Sequence, residues 1–151
     1  MTRVQRRRTP DGDRVEISQV LAVAPERAWE LLADTMRWPD WSPVVREVES
    51  TDRCVREGTT GRIRVPGVWL PFTVTSRTDR RWTWRVPCVP SAGHRVDDLG
   101  DRRCRVVFEV PFHAAGSVPI CLEALENIES ALAEDRTAAG EPRRTSDLQR
   151  Q

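Results

Sequence analysis

The chain has 151 residues, which is long enough for one domain with its own hydrophobic core. Its 24 basic and 23 acidic side chains give a formal net charge of +1, so no global basic field attracts nucleic acid or an anionic membrane. No apolar run approaches the ~20 residues that a bilayer span needs. We therefore expect no nucleic-acid partner and no stable membrane insertion.

Composition also bears on the source and the compartment. The sequence has no lysine and no tyrosine, a bias that indicates a GC-rich, bacterial genome. No two of its cysteines form a CxxC pair, which favours buried free thiols in a reducing cytoplasm. Two disulfides stay possible for an exported protein, but no apolar segment follows the charged N-terminus, so we expect no signal peptide. The cysteines are Cys54, Cys88, Cys104 and Cys121.

The first part of the chain predicts a strand followed by two short helices. Residues 1–13 are polar and arginine-rich, and we expect a disordered basic arm there. Residues 14–23 place apolar side chains on one face, as in a half-buried strand, with Gln19 as the polar exception. Pro25 favours the first turn of a helix that ends near Asp34. A second short turn follows and is closed by Pro39.

The remainder predicts hairpins and a final helix. Strands are expected at 44–50, 61–65, 68–76, 82–86, 93–99 and 103–110. The pair Pro66-Gly67 is typical of a tight turn between two of them. An apolar stripe at helical spacing then predicts a helix over 119–134, and residues 136–151 are expected to be a flexible tail. The stripe consists of Cys121, Leu125, Ile128 and Leu132.

This order of elements is α+β: about seven antiparallel strands in a curved sheet, with one face on the last helix. Together with particular residues, the order resembles the START-like (SRPBCC) superfamily, and within it the polyketide cyclase/dehydrase-like proteins. The residues that carry the resemblance are 24–29 (APERAW), 34–41 (DTMRWPDW), Trp82-Thr83-Trp84, Gly93-His94 and the amphipathic last helix.

The resemblance covers residues 14–135 and implies a helix-grip fold. In that fold the curved sheet wraps the long C-terminal helix around a largely apolar cavity, and the two short helices close one end. Tryptophans of the short helices and the sheet can offer an apolar face and one N–H donor to a ligand, although large aromatics more often simply fill cores. The expected ligand-binding residues are Trp41, Trp69, Trp84, His94, Phe108 and Leu125.

His94 is the best candidate for a catalytic residue, as a general base or polar anchor, and a hydrogen-bonded structural role is the alternative. Arg85 and Glu109 follow inward-facing residues and should point outward, unless a bulge reverses the register. We expect no metal and no cofactor, because the candidate metal ligands lack paired short spacings. Those ligands are Cys88, His94, Cys104 and His113.

Three functions fit these features. The first is binding of a small hydrophobic, polyketide-like or lipid-like ligand in the cavity, by a monomer or homodimer. The second is a polyketide cyclase or aromatase that uses His94 with Arg85 or Glu109, although the tyrosine that often contributes in such enzymes is missing. The third is an interaction module without a cavity, which would expose Trp38 and Trp41 as a partner surface.

Overall fold

The computed structural model describes residues 2–9, 12–87 and 89–140. These residues form eight strands and three α-helices, with 3₁₀ segments at Thr35–Arg37 and Phe112–Ser117. The helices are α1 (Pro25–Ala33), α2 (Trp38–Trp41) and α3 (Val118–Gly140). The strands are β1 (Thr2–Thr9), β2 (Gly12–Leu21), β3 (Glu47–Ser50), β4 (Thr60–Val65), β5 (Val68–Thr78), β6 (Arg81–Val86), β7 (Val89–Gly100) and β8 (Arg103–Pro111).

All eight strands lie in one antiparallel sheet of order β1-β2-β8-β7-β6-β5-β4-β3. Each strand alternates between two faces. The inner face carries the buried apolar side chains, such as Ile17, Ile63 and Trp82, and it packs against the helices. The α+β class and the helix-grip arrangement are therefore confirmed. The two short helices are confirmed as well, and they follow β2.

Strand β1 corrects the expectation of a disordered arm and raises the strand count from about seven to eight. Residues 2–9 pair antiparallel with β2, from Thr2 opposite Gln19 to Thr9 opposite Gly12. The stretch has little apolar character, but the backbone edge of β2 offers it hydrogen-bonding partners. Arginines of β1 also meet carboxylates of β2, since Arg6 pairs with Asp13 at 2.6 Å.

Helix α3 covers the inner face as its periodicity predicts. All four residues of the predicted stripe, Cys121, Leu125, Ile128 and Leu132, are buried. Gln19, the polar residue on the apolar face of β2, also has a partner on this helix. Its Nε2 donates a hydrogen bond to Glu129 of α3. The helix extends to Gly140, beyond its predicted end, and residues 141–151 of the expected tail lie outside the described residues.

The two tryptophans of α2 connect this short helix to α1 by hydrogen bonds. The last carbonyls of a helix have no partner within the helix. Here the indole N–H of Trp38 donates to the Leu32 carbonyl at 3.0 Å, and that of Trp41 donates to the Leu31 carbonyl at 3.3 Å. Asn127 of α3 donates in turn to the Trp41 carbonyl at 3.1 Å. The two short helices are thereby fixed to each other and to α3.

The three described cysteines differ in burial. Cys104 and Cys121 are buried free thiols, whereas Cys54 is exposed, contrary to the expectation of burial. Burial raises the pKa of both buried thiols to about 11, so each is neutral at pH 7. Cys88 lies outside the described residues. None of the helices in the described part of the chain combines the length and hydropathy that a membrane crossing demands.

Candidate ligand-binding cavity

An apolar cavity of about 300 Å³ lies between the inner face of the sheet, α2 and the first turns of α3. Strands β4 to β8 form its floor, and the segment 42–45 and the 3₁₀ segment before α3 contribute to its sides. Its polar lining residues are Ser42, Ser117, Cys121 and His94, and the others are aliphatic, proline or aromatic. The aromatic rings in the lining are Trp38, Trp41, Trp82, Trp84, His94 and Phe108.

Three of these rings form a continuous stack. The Trp82 ring lies between the other two, 4.1 Å from the His94 ring at 17° and 5.1 Å from the Trp38 ring at 8°. Trp84 meets each of the three edge-on, at 5.3 to 6.0 Å and angles of 81–89°. Stacked and edge-to-face pairs are the favoured arrangements of aromatic rings. One wall of the cavity is therefore an ordered aromatic surface.

Register across the sheet produces this wall. Trp82 and His94 are directly opposite each other on β6 and β7, and His94 is opposite Phe108 on β8. Directly opposite side chains on one face lie close enough to contact. Trp38 reaches the stack from α2, where its indole N–H is already bonded to α1. The wall thus joins two strands to one of the short helices.

His94 is held neutral in this environment. Burial among rings lowers the pKa of the imidazole to about 4, and this outweighs the hydrogen bond with the Trp82 backbone and the attraction of Glu109, which both raise it. Its Nδ1 and the indole Nε1 of Trp82 are buried side-chain atoms without a hydrogen-bond partner. A buried unpaired polar group costs roughly 1–3 kcal/mol, so both atoms call for an explanation.

The predicted ligand-binding residues fall into two groups. Trp41, Trp84, His94 and Phe108 line the cavity. Leu125 is buried on α3 but does not line it, because the small side chains of its helix, at Cys121 and Ala124, are the ones that leave space there.

Trp69 is placed wrongly by the sequence interpretation. It lies half-buried on the outer face of the sheet, and the Arg62 guanidinium sits 4.2 Å from its ring. The sequence itself indicates that Trp69 faces outward, because Trp69 is out of phase with Leu70 and Phe72, whose alternation marks the inner face.

Two lining tryptophans, Trp38 and Trp82, were not among the predicted site residues. Trp82 shares the inner face with Trp84, and that alternation is visible in the sequence. The contact of Trp82 with His94 follows from register, which the sequence does not reveal. Trp41 differs from expectation in another way: its N–H is bonded to Leu31, so it offers the cavity an apolar surface only.

Arg85 and Glu109 face away from the cavity. Arg85 is exposed. Glu109 lies on the outer face, where it accepts hydrogen bonds from Arg81 and Arg95 at 2.7 Å each. These bonds outweigh the effect of burial and keep the pKa of Glu109 below its usual range. Neither residue can assist His94 at a ligand, as the alternation of β6 and β8 predicts.

The Glu109 carboxylate lies close against Gly93 on the outer face of the sheet. A Cβ added at Gly93 would lie 2.7 Å from Glu109 Oε1, so only glycine leaves room for the side chain in this position. Arg95 also contacts Glu16 at 3.0 Å and Asp97 at 3.0 Å. The group is an ion-pair network across the outer surface of β2, β6, β7 and β8.

Metal ligands do not converge in the part of the chain that the structure describes. Within residues 2–9, 12–87 and 89–140, no three His, Cys, Asp or Glu side chains are placed to hold an ion. Of the candidate ligands, His94 and Cys104 both lie on the inner face of the sheet but at different positions along β7 and β8, since His94 is opposite Phe108 whereas Cys104 is opposite Asp98. Cys88 and the side chain of His113 lie outside the described residues.

Comparison with known families agrees with this geometry. Residues 13–139 match the family described as polyketide cyclase/dehydrase and lipid transport. The chain belongs to this family. No curated protein sequence matches it.

Solved structures show the same fold for this family member. The Zhui aromatase/cyclase from Streptomyces sp. R1128 is 19% identical with a TM-score of 0.61, over 85% of this chain and 98% of that one. A START superfamily protein from Mycobacterium smegmatis is 14% identical with a TM-score of 0.64, over 80% and 97%. A protein from Thermobifida fusca is 19% identical with a TM-score of 0.65, over 80% and 93%. At these identities the likeness concerns the fold alone, and it confirms the helix-grip fold.

Proposed function

We propose that this protein binds a small hydrophobic molecule in the cavity between the sheet, α2 and α3. The observation that carries the proposal is the cavity itself: about 300 Å³ of space behind an aromatic wall, in a chain that otherwise packs a continuous core. Ligand sites in proteins are concave, mostly apolar and furnished with a few polar groups. This cavity has those properties, with Trp82 and His94 as the unpaired polar groups.

The interaction module without a cavity has less support. It required an exposed patch at Trp38 and Trp41, and these residues are only 1% and 6% exposed. Both indole N–H groups are also bonded within the protein.

Binding can be tested with N-phenylnaphthylamine, an uncharged probe whose fluorescence rises in apolar surroundings. The matched pair Ala124→Phe and Ala133→Phe adds the same side chain at two positions of α3. Ala124 lines the cavity and is buried, whereas Ala133 is exposed. We expect saturable binding to the wild type and to Ala133→Phe, and at least about tenfold weaker binding to Ala124→Phe, because the added ring occupies the space.

Near-ultraviolet circular dichroism checks that both variants fold. If Ala124→Phe does not fold, Ala92→Phe replaces it, because Ala92 lines the cavity from β7. Equal binding by the filled and control variants would exclude the cavity as the site. Absence of saturable binding to the wild type, together with no retained apolar molecule in its native mass spectrum, would contradict the function.

Catalysis in the same cavity is the second candidate, and the unpaired Nδ1 of His94 is the observation that favours it. A pKa of about 4 makes His94 a weak base, and Arg85 and Glu109 are on the other side of the sheet. Binding without turnover therefore fits the geometry better. Deuterium exchange at the α-carbon of an aromatic ketone, lost in His94→Phe, would support proton transfer by His94. No acceleration over buffer would rule this role out for such ketones.

A further inference from the structure

We infer that the cavity selects an uncharged aromatic molecule with a hydroxyl group, and that Trp82 and His94 recognise this hydroxyl. The inference rests on the proposed function and specifies its ligand. It separates phenol-like molecules from fatty acids and from other ligands with a carboxylate or phosphate.

The first argument is charge. Among the described residues that line the cavity there is no arginine, aspartate or glutamate, and the chain contains no lysine. His94 is neutral at pH 7, so it supplies no counter-charge, and the Cys121 thiol is neutral as well. An anion transferred from water into such a site loses its hydration without gaining an ion pair. The cavity therefore disfavours carboxylates and phosphates.

The second argument is shape. The stack of His94, Trp82 and Trp38, with Trp84 edge-on, presents ordered ring surfaces to the ligand. Rings gain from offset-stacked and edge-to-face contacts beyond the area they bury. A volume of about 300 Å³ is also at the lower end of the range for ligand sites. A compact fused-ring molecule fits these walls better than a long-chain lipid.

The third argument is the location of unused hydrogen-bonding capacity. The lining serines are engaged locally: Ser42 Oγ accepts from the backbone N–H of Val45 at 3.1 Å, and Ser117 donates to the Ala114 carbonyl at 2.8 Å. Trp82 Nε1 and His94 Nδ1 have no partner, and their rings are 4.1 Å apart. The two unpaired atoms therefore belong to one part of the wall.

A hydroxyl suits this pair because it both accepts and donates. The indole N–H of Trp82 is a donor only, whereas a neutral imidazole has one nitrogen that accepts. A ligand hydroxyl can accept from Trp82 and donate to Nδ1 of His94 in its accepting tautomer. Both atoms are buried in the ligand-free protein, so this recognition requires the two rings to shift enough for Nε1 of Trp82 and Nδ1 of His94 to face the ligand. Pairing these atoms removes the cost of leaving them unsatisfied.

The test compares naphthol, naphthalene, naphthoate and decanoate as competitors of N-phenylnaphthylamine at pH 7. We expect naphthol to bind at least about tenfold more tightly than naphthoate, which carries the anion on the same ring system. Naphthol should also exceed naphthalene by about three- to tenfold, the range expected for a net hydrogen bond. Decanoate should be the weakest competitor, because it is both anionic and flexible.

His94→Phe supplies the control for the hydroxyl. This substitution replaces one planar ring by another, so the ratio of naphthol affinity to naphthalene affinity within the variant is the readout, and the preference for naphthol should disappear. An unchanged preference would refute recognition by His94. Naphthoate or decanoate binding as tightly as naphthol would refute selection against anions while leaving the proposed function intact. Failure of all four to compete, with saturable probe binding at the cavity, would refute selection for the hydroxyl while leaving the proposed function intact.

Discussion

The burial of His94 predicts a specific loss of stability in mild acid. The imidazole has a pKa of about 4 in the folded protein, against an ordinary value of 6.5. Between these values the unfolded chain binds a proton that the folded protein does not bind, so stability falls as pH decreases. The contribution is fully retained above pH 6.5 and is lost as pH falls towards 4. A difference of this size corresponds to about 3 kcal/mol in total, of which about 2 kcal/mol is lost by about pH 5.

The effect of His94 on stability in this pH range can be measured separately from that of the groups around it. Its ring contacts are Trp41, Trp82, Trp84 and Phe108, which do not titrate in this range. On the other side of the sheet, the Arg81 guanidinium stays charged throughout. The pKa of Glu109 is below its usual 4.5, so the stability that this carboxylate contributes is lost only when pH falls below 4.5. Measurements from about pH 5 to about pH 7.5 therefore report mainly on the histidines.

The assay is urea denaturation of the wild type and His94→Phe, followed by far-ultraviolet circular dichroism at several pH values in this window. The second histidine, His113, is present in both proteins, so its contribution cancels in the difference. The free energy of unfolding of the wild type should fall by about 2 kcal/mol more than that of His94→Phe between about pH 7.5 and about pH 5. Parallel curves for the two proteins would show that His94 is not held neutral by burial, and the argument from charge for an uncharged ligand would then fail.

Three further predictions concern stability. Glu109→Gln should destabilise the protein by roughly 1–3 kcal/mol, because two arginines lose their buried partner, whereas Glu49→Gln in an exposed pair should have a smaller effect. Similar losses in urea denaturation would contradict this ranking. Gly61→Ala should cost at least about 2 kcal/mol, since its Cβ would lie 2.0 Å from the Glu49 backbone oxygen, whereas Gly116→Ala meets nothing within 4 Å. Equal melting temperatures would refute this reading of the β3–β4 contact. Leu125→Ala should cost about 2–5 kcal/mol and leave probe affinity unchanged within about twofold, because Leu125 is buried outside the cavity lining. A large change in affinity at unchanged stability would place Leu125 at the ligand.

Turn chemistry and helical periodicity were reliable guides to the fold. The Pro66-Gly67 pair forms the turn between β4 and β5, and Gly67 has a φ of +86° that suits glycine. The stripe from Cys121 to Leu132 is buried as its spacing predicts. Both signals are local, since a turn needs only its own residues and a helix repeats its face every 3.6 residues.

Strand β1 shows where local signals fail. Residues 2–9 contain one large apolar side chain, Val4, and it is 49% exposed. Nothing in such a stretch predicts burial, so the sequence favours disorder. The strand forms because β2 presents an open backbone edge and because Asp13 and Glu16 meet the arginines across it. Those partners become adjacent only after the chain has turned back.

The sequence by itself determined the α+β class, the order of elements and the inward face of most of them, because alternation and helical spacing depend on neighbouring residues alone, and the helix-grip fold was implied by the family resemblance. It also placed Trp41, Trp84, His94 and Phe108 among the candidates that line the cavity. Only the tertiary structure decided the rest of the site. The register of β6 against β7 sets His94 on Trp82, and the packing of the sheet against α3 leaves their two nitrogens unpaired beside a charge-free space. Contacts between distant strands depend on register and curvature, which no local pattern specifies.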